Sequence, residues 1–362
     1  MPAAAAGSVT AFFLYDVAEA IDLAAVTGLV SATAPVQMAP KAHTPSYIQY
    51  THPPISIDGR TAGMPELADF RVRFRLFDYG VISVALTRPM PPAWDRLVAE
   101  GLSLHDDAVL VADAERQCRA LVERLHPAMV RPRAEFLSED YLVFAVTGAD
   151  GPPADDLLAA HGAEIAQLLR GEREALSALE REEVLRHRIS YFATDLIVPT
   201  WNAAFVYDTE PGAQAVLDII EFANSQLLEF RYYDQLLGAE LERIYPQLQQ
   251  PGGLQSWFGR RLTRAARQVH TLFIEVNEVT DKTENALKVA GDVYTARLFT
   301  LVAARLGLDH WKGSVREKLK TLDVIYRFAV EQTAMARGEL LELTIVLILA
   351  LELVLFFAGI MR

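Results

Sequence analysis

Glu352 is the one charged residue in an apolar run from Leu343 to Met361. At about 1.5 Å per helical residue those nineteen positions reach roughly 28 Å, the thickness of a bilayer's hydrocarbon core. A carboxylate at mid-depth costs about 2.5–3.5 kcal/mol on insertion scales, and protonation or a partner reduces that cost. Three readings of Glu352 follow: a hydrogen bond between associating helices, a proton or ion site in an oligomer, or a protonated passenger in a helix hydrophobic enough to insert. Just upstream, Arg337 precedes Glu339 and Glu342, which lie three apart on one helical face. They could anchor the helix at a membrane surface and pair with a neighbouring helix, or form a solvated last turn.

A second group is basic. Arg260, Arg261, Arg264 and Arg267 share one helical face directly after Trp257-Phe258. A cationic face beside Trp and Phe is the pattern of a helix resting on anionic headgroups, on the cytoplasmic side. The plainer alternative is a solvated face paired with the chain's carboxylates. A third group lies in the aromatic and acidic run Glu221–Tyr245. Phe222, Leu228, Tyr232 and Leu236 read as core, while Glu221, Asn224 and Arg231 could form a polar cluster facing the strands expected at 191–207.

Catalytic signatures are missing: there is no HExxH, GxSxG, P-loop or GxGxxG, and the eight histidines are scattered singly. His43 and His52 sit in a Pro-rich stretch that reads as a loop. The single cysteine, Cys118, permits neither an internal disulfide nor a Cys-based metal site, which fits a body in a reducing compartment. No catalytic, cofactor-binding or metal-binding residue is expected, and the chain does not read as an enzyme. A net charge of −13 argues against a broad nucleic-acid surface, so no direct nucleic-acid binding is expected. The N-terminus lacks a basic region before its apolar run and makes a poor signal peptide.

These residues need elements to position them. Up to residue 208 the chain alternates strand-like and helix-like runs. A first strand is expected at Thr10–Tyr15. A hairpin is expected around Asp78-Tyr79-Gly80, because Phe70, Val72, Phe74 and Leu76 alternate with Arg71, Arg73 and Arg75, the period of a half-buried strand. Helix-like runs follow, then strands at Tyr141–Thr147, Tyr191–Val198 and Ala203–Tyr207, with a helical break near Gly171. From Pro211 the pattern is helical. Helices over about 256–306 and 310 to the end, joined at Gly307, would be antiparallel neighbours. Val315, Leu319, Leu322, Tyr326, Ala329, Thr333, Ala336 and Leu340 form a heptad seam on the second of these. A matching stripe (Leu272, Val276, Val279, Thr283, Leu287 and Ala290) lies on the first. The expected fold is therefore α+β: a mixed α/β body over 1–208, a connecting helix over 209–250, an antiparallel helical hairpin or coiled-coil stalk over 254–340, and a C-terminal transmembrane helix over 341–362.

Across the end of that stalk, Lys318-Leu319, Arg337, Leu341-Glu342, the apolar run LTIVLILAL and Glu352 follow one another at fixed spacing. This 45-residue stretch resembles the C-terminal signature of the "required for meiotic nuclear division" family. That family includes sporulation and mitochondrial inner-membrane proteins and extends to bacterial members. Its acidic Asp-x-x-Asp-x-x-Trp neighbourhood appears only loosely here, as Thr194-Asp195 and Trp201-Asn202. The resemblance implies a bacterial member, an oligomeric membrane protein, and for the mitochondrial relatives support of organellar protein synthesis.

The function expected from all this is a membrane-anchored, homo-oligomeric scaffold whose cytoplasmic α/β body is presented to a macromolecular partner. Its partners would be membrane lipid, further copies of the chain and a protein complex of unknown identity. An alternative is an oligomeric ion-conducting or ion-sensing assembly with the layout of CorA-type magnesium transporters, although their second span and Gly-Met-Asn loop are missing. A third reading is a membrane-tethered enzyme, which would need a polar pocket in the body.

Overall fold

A computed structural model describes residues 6–30, 53–61, 67–91, 93–148, 151–249 and 293–357, together with positions 274 and 276. At residues 6, 246–249, 328–341, 356 and 357 it describes the backbone alone. The chain divides into two compact units, Met1–Tyr232 with Val279–Lys312, and Tyr233–Glu278 with Gly313–Arg362.

The first unit is built on a seven-stranded sheet in the order β2-β3-β4-β1-β5-β7-β6. Its strands are β1 (Ala6–Ile21), β2 (Ile55–Gly59), β3 (Arg71–Leu76), β4 (Val81–Met90), β5 (Met129–Thr147), β6 (Leu196–Pro199) and β7 (Ala203–Asp208). Every pairing is antiparallel except β5 with β7. The expected hairpin is present: Leu76 pairs with Ile82 across a turn in which Gly80 adopts φ +93°. A Cβ at Gly80 would lie 1.9 Å from the Ala18 carbonyl oxygen, so only glycine fits this left-handed position.

β1 and β5 exceed their sequence estimates because both continue as a long central pair. Their register shifts between Asp16, opposite Leu137, and Ala18, opposite Pro132. Such an irregularity is the usual signature of a β-bulge, and it falls beside Arg133. β6 is shorter than expected because residues 191 and 192 turn back onto Asp195, whose carboxylate accepts both of their backbone N–H groups.

One sheet face carries Val9, Ala11, Phe13, Val72, Phe74, Val84, Leu86, Phe144 and Phe205, all buried in a single core. That core also takes residues from α2 (Trp94–Leu102), α3 (Ala108–Leu125), α4 (Ala154–Arg170) and α5 (Ala178–Arg186). Asp107 caps α3 by accepting from the N–H groups of Val109 and Leu110, and the chain breaks at Gly171 between α4 and α5 as expected. A short α1 (Leu23–Val30) follows β1. Also in this unit are the start of α6 (Glu210–Gln249) and α7 (Val293–Arg305), where the Phe222 and Phe299 rings lie 5.8 Å apart.

The second unit holds the rest of α6 and most of α8 (Leu308–Phe357), which follows Gly307 at φ +67°. Val315, Leu319, Leu322 and Tyr326 of the expected seam are buried, and so are Leu237, Leu241 and Ile244 of α6. Ser314 Oγ donates to Asp234 Oδ1, Lys318 Nζ pairs with the same carboxylate at 2.8 Å, and Tyr326 Oη donates to Glu240 Oε1. Because the partner numbers rise together, these stretches of α6 and α8 run parallel. Seam positions 329–340 and the stripe expected at 272–290 lie outside the described side chains, apart from Val276, which is buried.

The mixed α+β class is thus present, whereas the terminal span is not shown. Among the described residues no helix is long and apolar enough to cross a membrane. The apolar surface of α8 is described from 342 to 355, about 21 Å of helix against a core of about 30 Å.

Candidate functional site

The second face of the sheet carries the polar residues. Alternation along β3 sends Val72, Phe74 and Leu76 into the apolar core and Arg71, Arg73 and Arg75 to the opposite side. Sequence reasoning leaves those arginines in water, yet Arg75 is only 2% exposed. The reason is α6, which brings Asp218 and Glu221, three residues apart, over the strand. Arg75 places Nη2 2.8 Å from Asp218 Oδ1 and Nη1 2.6 Å from Glu221 Oε2, and Arg73 Nη2 reaches Glu221 Oε2 at 3.2 Å. Beside them Tyr79 Oη and Ser225 Oγ share a hydrogen bond of 2.7 Å. Ser83, opposite Arg75 in the register, is fully buried. Ion pairs this deep specify an arrangement more than they stabilise it, because desolvation offsets most of the attraction.

Further along the same helix lies a second polar group. Asp16 is 0% exposed, and its Oδ1 accepts from Arg133 Nε at 2.7 Å. Its Oδ2 is buried with no hydrogen-bond partner among the described residues. The Arg133 guanidinium stacks 3.6 Å from the ring centre of Tyr232 on α6. Burial pushes the Asp16 carboxyl up to about 6, against the opposing pull of Arg133. Burial also lowers the Arg133 guanidinium, but Asp16, Tyr232 and Glu229 outweigh it and raise the group above its ordinary value.

Glu221, Asn224 and Arg231 do not form the polar cluster expected against the strands at 191–207; each goes to a different partner. Glu221 meets β3, Asn224 Nδ2 donates to the Ile220 carbonyl of its own helix, and Arg231 pairs with Glu139 of β5. Arg73, Arg75, Asp218, Asp16 and Arg133 were not singled out from the sequence. The alternation in β3 is a signal for Arg73 and Arg75 alone, and no local pattern marks Asp16, Arg133 or Asp218.

Thr194-Asp195 and Trp201-Asn202 fall in turns of the body. Asp195 also accepts from Tyr294 Oη at 3.2 Å, and Trp201 stands exposed in the β6–β7 turn.

The residues expected to meet a membrane lie elsewhere. Glu342 and Glu352 are exposed on α8, while the side chains of Arg337 and Glu339 lie outside the described residues, as do Trp257, Arg260, Arg261, Arg264 and Arg267. Around Glu352, Leu343, Ile345, Val346, Leu347, Ile348, Leu349, Leu351, Leu353 and Val354 are 50–65% exposed. Successive helical residues step by about 100°, so positions 345–349 alone cover the full circumference. Among the described groups of His, Cys, Asp and Glu, none could hold a metal ion.

A family model described as "Uncharacterized protein MJ0711, N-terminal domain" matches residues 6–214, more than half of the chain. The chain belongs to that family. A relative, Uncharacterized protein MJ0711 from Methanocaldococcus jannaschii, is 26% identical over 227 residues, covering 63% of this chain and 68% of the relative. No solved structure matches. The MJ0711 domain contains all seven strands and supplies Asp16, Arg73, Arg75 and Arg133, while Asp218, Glu221 and Tyr232 lie beyond the matched residues.

This assignment corrects the resemblance to the "required for meiotic nuclear division" family and the bacterial origin inferred with it, since the match is to an archaeal protein. The misleading stretch, Arg337 to Glu352, is outside the matched domain. Two glutamates in an aliphatic helix draw on few residue types, so composition alone can reproduce such a spacing.

Proposed function

We propose that the protein is a membrane-associated, self-associating scaffold whose MJ0711-type body, on the cytoplasmic side, is presented to a macromolecular partner. The observation that carries this reading is the aliphatic exposure of α8 around its whole circumference. A single partner helix would cover one face only. A surface apolar on every side calls for a surrounding medium, and a bilayer is one. The described apolar surface is short for a span. The sequence, however, stays apolar through Met361, long enough for the whole run to lie in the hydrocarbon. Copies of the chain meet on the side that carries Glu352, where two carboxyl groups can share a proton, and the other sides face lipid. The buried thiol of Cys118 accords with a reducing compartment for the body.

Removing residues 342–362 and comparing the two proteins in fractionated cells tests this reading. The full chain should pellet with membranes and resist carbonate extraction, and the shortened chain should be soluble. Equal solubility of both would overturn it.

A further inference from the structure

The group at Asp16, Arg133 and Tyr232 is independent of the membrane reading. We propose that these residues form a proton-operated clasp: when Asp16 takes up a proton, Arg133 leaves it and β5 loses one of its polar holds on α6, the Arg231–Glu139 pair remaining. The geometry is that of a two-position device. Asp16 sits where the β1–β5 register shifts, fully buried, with one oxygen on Arg133 and the other without a partner among the described residues. Its strand neighbours in register, Val81 and Leu137, are apolar and offer no alternative bond. Arg133 is partly open to solvent, so it can swing out where the carboxyl cannot. The charged and titratable groups around the pair are Arg133 from β5, and Glu229 and Tyr232 from α6.

Linkage fixes the direction of the device. Burial favours the neutral carboxyl, and Arg133 is the group that opposes it. With Arg133 gone, the still-buried Asp16 binds its proton more tightly. Protonation therefore favours the state in which Arg133 has left. Ionised Asp16 holds Arg133 in place over the Tyr232 ring. Neutral Asp16 lets it go, and Glu229 remains as its neighbour on α6.

Hydrogen exchange of the full-length protein at α6 residues 226–236 tests this, at pH 7.5 and pH 5.0 after correction for intrinsic exchange. Protection in the wild type should fall about tenfold at the lower pH. Asp16→Asn should be fast at both values, and Tyr232→Phe, which keeps the ring, should retain the wild-type response. Equal wild-type protection at both pH values would overturn the proposal, as would a wild-type response in Asp16→Asn. If Asp16→Asn does not fold, carbon NMR of aspartate-labelled wild type decides. One carboxyl must titrate near 6, and the absence of any aspartate titrating between pH 5 and 7 would overturn the clasp.

Discussion

Arg75 is buried against two carboxylates, the fully buried Glu221 and the partly exposed Asp218, and removing it costs more than the pair itself contributes. Arg75→Met should destabilise the body by about 3–5 kcal/mol, because Glu221 would keep a buried charge with less compensation. Arg73→Met should cost less, since Arg73 is partly solvated, and urea denaturation of both variants measures the difference. Asp16 sets the sign of a pH effect. Its folded-state value, about 6, lies above the ordinary 3.8, so the folded protein binds this proton more tightly than the unfolded chain. The stability it contributes is complete below about pH 4 and lost as pH rises through about 6, on the order of 3 kcal/mol. Asp16→Asn should flatten that part of the stability–pH curve, and an unchanged slope would place the titration on another group.

At the scale of elements, much was legible from local pattern. The Asp78-Tyr79-Gly80 turn, the break at Gly171 and the stop at Gly307 announce themselves through residue type, and alternation gives β3 and β4. The burial of Arg75 was not legible, because the carboxylates that cover it come more than 140 residues later. Period two says which side chains share a face, not what lies above that face. Nor does the heptad seam name its partner: Leu319 and Leu322 are apolar at the right spacing whichever helix lies beside them. Leu322→Ala should cost about 2–5 kcal/mol by leaving a cavity, whereas exposed Val324→Ala should stay within about 0.5 kcal/mol. Gly80→Ala should be among the most damaging single changes in the sheet, because the added methyl meets backbone rather than a movable side chain. Thermal unfolding of these variants gives the ranking directly.

Across the whole molecule, the MJ0711 domain accounts for residues 6–214, and the apolar end of α8 lies far outside it. Sequence gave that end its composition but led to the wrong relatives, since a lone acid in an aliphatic helix is a physical pattern before it is an ancestral one. The account rests on the medium around positions 345–349. Spin labels placed singly at these five positions of the full-length protein in lipid vesicles test it, by comparing collisions with oxygen and with a water-soluble nickel chelate. All five should favour oxygen, in contrast to a label at exposed Val324. Chelate access at positions 345–349 equal to that at Val324 would mean that water surrounds the helix and that no membrane holds this protein.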